Sequence, residues 1–388
     1  MSEDLAALEQ QARLLIDAGQ LVEAEALLRP ALASGTGPIV LWRLLVKAIR
    51  PQGKISETRT IQEMVVQTLP GDLGARFDLS ETLLLQGEFT RGWREYRFRY
   101  SLEHTTRMAR KVQRPRWEGQ PLPGKTLLIH DEQGYGDTFQ FLRMAQWARA
   151  RSGARVILEI NAESYSLAQR SGGFDDLIVR GTLPPAFDFH CEMMSLPMAM
   201  KLQLSDLPGP DPYLPYLTPD PVRVARWQKR LAHLPRPLVA LVWAGRPEHH
   251  NDARRSLALA DLAPLAQPGV TFLGLQKGPA AAQGASPPED MHFLSLSDEI
   301  ADFEDTAAIL SLADLLISVD SSPVHLAGAL GRPAWVMLPF VPDWRWLLER
   351  EDSPWYPAMR LFRQPVMDEW GPVLNTLAGE LGRLKAAC

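Results

Sequence analysis

Large apolar residues recur at helical spacing over the first hundred positions, and three short turns interrupt them in register. Gly19-Gln20-Leu21, Gly53-Lys54-Ile55 and Gly87-Glu88-Phe89 each run glycine, polar residue, large apolar residue, and successive glycines stand 34 residues apart. A glycine turn between two helices with that period is the tetratricopeptide pattern. Leu15, Ile49 and Leu83 stand four residues before the glycines, Trp42 takes the aromatic position of the second repeat, and Pro70 closes it. Ala24 fills the small position of the first repeat, where Thr58 and Gly92 stand in the later ones. Three repeats is near the minimum for a stable stack. An ordinary helical bundle is the competing reading.

From about residue 126 the pattern changes to short apolar runs separated by amphipathic stretches. Thr126–Ile129, Arg155–Ile160 and Asp176–Val179 read as strands, with helices near Thr138–Arg151 and Ala162–Ser171. A second alternation runs through Leu238–Val242, Val270–Leu275, Met291–Leu296, Leu315–Val319 and Ala334–Leu338. Near-continuous apolar strands alternating with helices predict parallel sheets buried on both faces and joined by right-handed crossovers. Turn chemistry marks the joints. Arg114–Lys125 is a Pro/Gly-rich connector, and Leu207–Pro221, with six prolines and a glycine, reads as a linker between two α/β halves. The tail Asp368–Lys385 reads as a helix.

Two strand-end loops carry the candidate chemistry. In the segment 126–143, TLLIHDEQGYGDTFQFLR, a strand enters a loop with Gly134 and Gly136, and Asp137 stands where the next helix starts. Those glycines permit positive φ or a close backbone approach, and the acid suits a helix N-terminus. In the segment 313–339, Asp320, Ser321 and Ser322 follow the strand Leu315–Val319, and Pro323 suits a first helical turn. Backbone N–H groups and hydroxyls there can hold phosphate or ribose oxygens, although capping alone also explains them. The first loop lacks the third glycine of the dinucleotide fingerprint, and no P-loop sequence occurs. NAD and P-loop readings therefore weaken.

At these residues the chain resembles the heptosyltransferase-like glycosyltransferases, glycosyltransferase family 9 and its relatives, and in particular bacterial proteins that join tetratricopeptide repeats to such a domain. The stretches that carry the resemblance are HDEQGYGDTFQFLR, LVALVWAGRPEHHNDARRSL, VTFLGLQKGP, DLLISVDSSPVHLAGALGRPAWVMLP and PDWRWLLEREDSPWYPAMRLFRQP, which together cover most of residues 115–388. The resemblance implies a GT-B architecture, two Rossmann-like domains across a cleft, with the acceptor mainly on the first and a nucleotide-sugar on the second. It sets four regions: repeats at 1–113, an acceptor domain at 114–218, a nucleotide-sugar domain at 219–367, and a C-terminal helix at 368–388 that packs back on the first domain.

Sugar transfer needs a base for the acceptor hydroxyl and stabilisation of the departing diphosphate. The resemblance makes Asp137 the base, with Glu132 in reserve beside Asp131 and His130. A carboxylate at a helix start is also an ordinary dipole partner. For the leaving group the candidates are Lys277, after the strand Val270–Leu275, and Arg254 and Arg255, in the loop after Leu238–Val242; solvated charge is the competing explanation. Ser321, Ser322 and the helix beyond them would complete a phosphate cradle, with His325 one turn in and Asp320 on a ribose hydroxyl. Trp243, Gly245 and Gln276 stand at neighbouring strand ends, where Trp243 either stacks on a base or packs in the core. The aromatic cluster Asp343–Trp346 with Trp355 and Tyr356 reads first as interface packing. The resemblance implies metal-independent chemistry with a nucleotide-diphosphate sugar as donor substrate and no separate cofactor.

Composition narrows the surroundings. The 388 residues are 46% hydrophobic, enough for two or three cored domains, and a net charge of −5 offers no general attraction to nucleic acid or anionic membrane. No apolar run approaches a membrane span, the acidic N-terminus is unlike a signal peptide, and two cysteines, Cys191 and Cys388, supply no disulfide framework. A cytoplasmic setting is expected. Two function classes stay open: a transferase whose repeats recruit a protein, peptide or glycan acceptor, and a binding protein whose transferase domain is a degenerate scaffold.

Overall fold

The computed structural model describes residues 3–102, 112–208, 215–249 and 251–387. Cys388 and the middle of the expected 207–221 linker lie outside the described residues. The chain divides into two compact units, one of residues 1–109 with 340–349, the other of 110–339 with 350–388.

The first unit begins with three helix pairs: α1 (Glu3–Asp17) with α2 (Leu21–Leu32), α3 (Ile39–Ile49) with α4 (Ile55–Thr68), and α5 (Leu73–Leu85) with α6 (Phe89–Tyr96). The 34-residue spacing becomes one turn geometry made three times. Gly19, Gly53 and Gly87 have φ of 74°, 79° and 78°, the left-handed region that glycine enters at no steric cost. The next residue's N–H reaches back to the carbonyl four residues before the glycine, as Gln20 to Leu15, Lys54 to Ile49 and Glu88 to Leu83. That six-residue closure satisfies a carbonyl the helix end would leave open. The positions of Ala24, Thr58 and Gly92 are all buried. At Gly92 the α5/α6 crossing is closest: a Cβ there would lie 2.6 Å from Leu84 Cδ2.

The stretch 340–349 completes this unit, although the sequence places it in the nucleotide-sugar region. Trp344 stands edge-on to Trp93, with ring centroids 5.2 Å apart, and 6.2 Å from Tyr96. Phe340 fills the space beside the Gly53 turn. Trp344 therefore packs against the aromatics of α6, whereas Trp355 and Tyr356 of the same sequence cluster belong to the second unit.

The second unit holds two all-parallel sheets. In the first the strands are β1 (Thr126–His130), β2 (Arg155–Ile160), β3 (Asp176–Val179) and β4 (Phe189–Glu192), in spatial order β3-β2-β1-β4. In the second they are β5 (Leu238–Val242), β6 (Thr271–Gly274), β7 (Phe293–Ser295), β8 (Leu315–Val319), β9 (Ala334–Leu338) and β10 (Met359–Arg363), in order β10-β9-β8-β5-β6-β7. In each sheet the first strand is central, and the order reverses beside it, between β1 and β4 and between β5 and β8. Loops at the carboxyl ends next to such a switch point form the crevice where α/β proteins bind ligands.

Three expectations need correction. The helix expected near Thr138–Arg151 is two helices, Tyr135–Phe141 and Arg143–Ser152, because the backbone ladder steps from an i−4 bond at Leu142 to an i−3 bond at Ala145. Strands β4 and β10 have no counterpart among the expected strands, since β4 carries a histidine and a glutamate and Arg360 and Arg363 break up the apolar residues of β10. The C-terminal helix, Gly371–Ala387, packs on the six-stranded sheet's own side and not on the first α/β half. Val373, Leu374, Leu377 and Leu381 join the core of that sheet with Val239, Val270 and Leu259, and Gln267 Nε2 donates to the Ala378 carbonyl at 2.6 Å. Those residues form one apolar stripe at helical spacing, and burying it there removes it from water.

Candidate functional site

The two α/β halves meet through the same two loops that carry the candidate chemistry in the sequence. The helix Tyr135–Phe141 lies against the helix Ser322–Ala329, and Gly136 is the point of contact. A Cβ at Gly136 would stand 2.9 Å from His325 Cδ2 and 3.5 Å from Ser322 Cα. Close approach is therefore the reason for this glycine, whereas Gly134 has an ordinary φ of −77°. Around the contact, Tyr135 and Phe139 both stack edge-on against Phe303 at 5.0 Å. Tyr216 Oη donates to the Phe139 carbonyl at 2.7 Å, and Arg170 pairs with Glu304.

On the second sheet, the adjacent strands β8, β5 and β6 run parallel and end on one side, and Gln276 ties the β6 loop to the β5 loop. Arg255 Nε donates to Asp252 Oδ1 at 3.2 Å, and its two terminal nitrogens carry no further hydrogen bond among the described residues. The side chain is 12% exposed, and Gly245 makes room for it: a Cβ at that position would lie 2.8 Å from Arg255 Nε. The Gly245 N–H is held by Ser256 Oγ at 2.9 Å. On β8, Ser318 Oγ lies 3.1 Å from Ser321 Oγ at the start of the helix Ser322–Ala329, and Ser321 caps that helix with no side-chain bond. His325 Nδ1 lies 3.1 Å from the Tyr356 hydroxyl, and its Nε2 stands 3.8 Å from Asp320 Oδ1.

Other nominated residues have partners of their own. Gln276 Oε1 accepts from the backbone of Trp243 and Ala244, at 3.0 and 2.9 Å, and its Nε2 donates to the carbonyls of Ala244 and Lys277. It shapes the loop through its amide. Lys277 Nζ donates to the carbonyls of Ser297 and Ile300 at 2.7 and 3.0 Å. Arg254 Nη1 lies 3.1 Å from Met367 Sδ. Trp243 is 1% exposed within the sheet core, 6.2 Å from Phe293, so it packs and leaves no face for a base.

On the first sheet, Asp137 Oδ2 accepts the Gly134 N–H at 3.0 Å, closing the helix start. Glu132 is buried, and with Asp131, Asp137, Met193 and Met194 it lines one crevice at the end of β1. Asp131 holds this loop together. It pairs with Arg180, accepts from Asn161 N and Nδ2 at 2.7 Å each, and receives the Thr138 hydroxyl at 3.5 Å. Burial pushes its carboxyl above the usual range, against the pull of Arg180 and Asn161.

Sequence reasoning missed Asp252, Ser256 and Ser318, which hold the loops after β5 and β8. Asp252 and Arg255 were legible as an i, i+3 acid–base pair in DARRS; Ser256 and Ser318 carry no signal beyond their neighbours. It also missed Arg143, buried among Trp147, Tyr216, Trp355 and Tyr356, whose Nη1 donates to the Trp355 carbonyl at 2.9 Å. A buried arginine in an aromatic cage requires long-range contacts that a linear sequence does not announce.

No protein-family model matches the chain. Among curated proteins it is 28% identical over 336 residues to protein FlbA of Caulobacter vibrioides, a match covering 80% of this chain and 56% of FlbA. The chain thus spans little more than half the length of that relative. Among solved structures, a glycosyl transferase of family 9 from Veillonella parvula aligns with 70% of this chain and 98% of its own, at 12% identity and a TM-score of 0.48. The ADP-heptose lipopolysaccharide heptosyltransferase II of E. coli aligns with 67% of this chain and 99% of its own, at 15% identity and a TM-score of 0.49. No helix of the described residues is long and apolar enough to cross a membrane.

Proposed function

We propose that the chain is a metal-independent GT-B glycosyltransferase that moves a sugar from a nucleotide-diphosphate donor to a protein, peptide or glycan acceptor recruited by its tetratricopeptide-like helix pairs. One observation carries the reading. The adjacent strands β8, β5 and β6 all end beside the β5/β8 switch point with a part-buried arginine and a helix N-terminus, and that helix packs against the helix on which Asp137 stands.

In this reading the diphosphate lies along Arg255 and the start of the helix Ser322–Ala329. The guanidinium and the backbone N–H groups of that helix offset its charge. Asp320 takes a ribose hydroxyl in the same reading. The acceptor hydroxyl loses its proton to the carboxylate of Asp137, or to Glu132, as its oxygen bonds to the anomeric carbon. The bond from that carbon to the phosphate oxygen breaks, and the nucleoside diphosphate leaves with the electron pair. Asp137 takes the proton on the oxygen opposite the one that holds Gly134 N–H.

A second reading, a binding protein with an inactive transferase domain, draws on the same geometry. Lys277 is committed to two carbonyls, and Asp137 to a helix cap. A thermal-shift panel of ADP, UDP, GDP and their sugars, followed by turnover of Asp137→Asn, separates the two. The transferase reading expects a raised melting temperature with one nucleotide class, since a ligand bound only by the native state stabilises it. It also expects Asp137→Asn to bind the donor and lose most turnover. No shift with any nucleotide in the folded protein overturns it.

A further inference from the structure

His130 closes β1, and His190 and Glu192 lie on β4, the strand paired beside it. The register sets His130 opposite Glu192, with His190 two residues earlier, so all three side chains leave the same face of the two strands. They are 2%, 4% and 2% exposed. The imidazoles stack at 5.4 Å between centroids and 20° between planes. His130 Nε2 lies 3.2 Å from His190 Nδ1, which lies 4.0 Å from Glu192 Oε1, and the ligand atoms of all three lie within 4.8 Å of one another.

We propose that His130, His190 and Glu192 form a binding site for a divalent transition-metal cation of the zinc class, held by two imidazole nitrogens and one carboxylate oxygen. Two nitrogens each bound to a tetrahedral zinc stand about 3.3 Å apart, given zinc–nitrogen bonds of about 2.0–2.1 Å. The observed 3.2 Å matches that spacing. Two imidazoles and a carboxylate are a donor set suited to zinc and its neighbours in the first transition row. Arg116 holds the same carboxylate, Nε at 2.9 and 3.1 Å from Oε1 and Oε2 and Nη2 at 2.7 Å from Oε1, as an outer partner that fixes a ligand's orientation.

The cation would pin β1 to β4 at the root of the 131–137 loop. None of the three residues belongs to the proposed donor or base positions, so failure here leaves the transferase reading standing.

The test is direct metal binding by the full-length protein, stripped with a chelator and titrated with zinc(II) alone. One equivalent should bind, with a dissociation constant at or below the micromolar range. His190→Ala should abolish it, and His233→Ala, at an exposed histidine, should leave it unchanged. Glu192→Gln should weaken it tenfold or more. Cobalt(II) should give the intense visible absorption of tetrahedral coordination in the parent protein and lose it in His190→Ala. Where His190→Ala fails to fold, the Glu192→Gln titration and the parent's cobalt spectrum decide alone. Binding well below one equivalent, unaltered binding in a folded His190→Ala, or an octahedral cobalt spectrum would overturn the proposal and leave a hydrogen-bonded histidine pair.

Discussion

The two α/β halves are built on one plan and finished differently. Each has a parallel sheet whose first strand is central and a polar loop at the switch point beside it. In the first half the polar groups there spend their bonds on each other: Asp131 on Arg180, Asn161 and Thr138, and Glu192 on Arg116. In the second half Arg255 keeps two terminal nitrogens unbonded among the described residues, and the helix Ser322–Ala329 begins without a side-chain cap bond from Ser321. A buried polar group costs stability unless it is paired, so donors left open at a crevice are kept for something outside the chain. Under the proposed function, the contrast gives rigidity to the first half and anion recognition to the second.

The largest effect should come from breaking the first half's network. Asp131→Ala leaves the buried donors of Asn161 and Thr138, as well as half-exposed Arg180, without their shared acceptor and should cost about 3–5 kcal/mol, at about 1–3 kcal/mol for each buried donor left unpaired. Chemical denaturation measures it, and a loss under about 1 kcal/mol would mean that the loop does not depend on this hub.

Acid reads the same half at a second place. The Glu192 carboxyl lies near 2 in the fold against an ordinary 4.5, so its folded value is depressed. Its contribution is fully present above pH about 4.5 and is lost as pH falls towards 2, about 3 kcal/mol in all at about 1.36 kcal/mol per unit. Glu192→Gln should flatten the stability curve in that window, and an unchanged acid limb would refute the Arg116 pairing.

How legible these features were in the sequence follows from the range of the interactions behind them. The three glycine turns are local, so their 34-residue period can be counted along the chain. Strands β5, β8 and β9 agree with their expected runs residue for residue, because a strand buried on both faces is nearly continuously apolar, Ser318 on β8 being the polar exception. Strand β4 was illegible because His190 and Glu192 put polar groups where that rule expects none. The site loops were found, but the roles within them depended on distant partners. Nothing in LQKG shows that Lys277 would reach the carbonyls of Ser297 and Ile300, or in PDWRW that Trp344 would leave the sheet region for Trp93. That last contact changes the outlook for the helix pairs as a detachable adaptor. A chain beginning at Arg114 would strip Trp344 of its cover and should aggregate, which a solubility assay checks.

The junction between the halves offers a smaller perturbation. Gly136→Val places a branched side chain against His325 and Ser322 and should cost about 1–3 kcal/mol, the range for overpacking a filled contact. If the contrast between halves is right, folded Gly136→Val should also lose turnover by displacing the two loops, while the melting of α1–α6 stays as in the parent.

Calorimetric titration of the preferred nucleoside diphosphate into the parent protein, Arg255→Ala and Lys277→Ala tests the central claim. The account predicts that Arg255→Ala weakens binding at least tenfold, about 1.5–3 kcal/mol for a lost hydrogen bond to a charged group, with unfolding stability little changed. Lys277→Ala should weaken it less and destabilise the fold more, because its ammonium already serves two carbonyls. Equal affinity in the parent and in a folded Arg255→Ala would contradict the assignment of anion recognition to the second half.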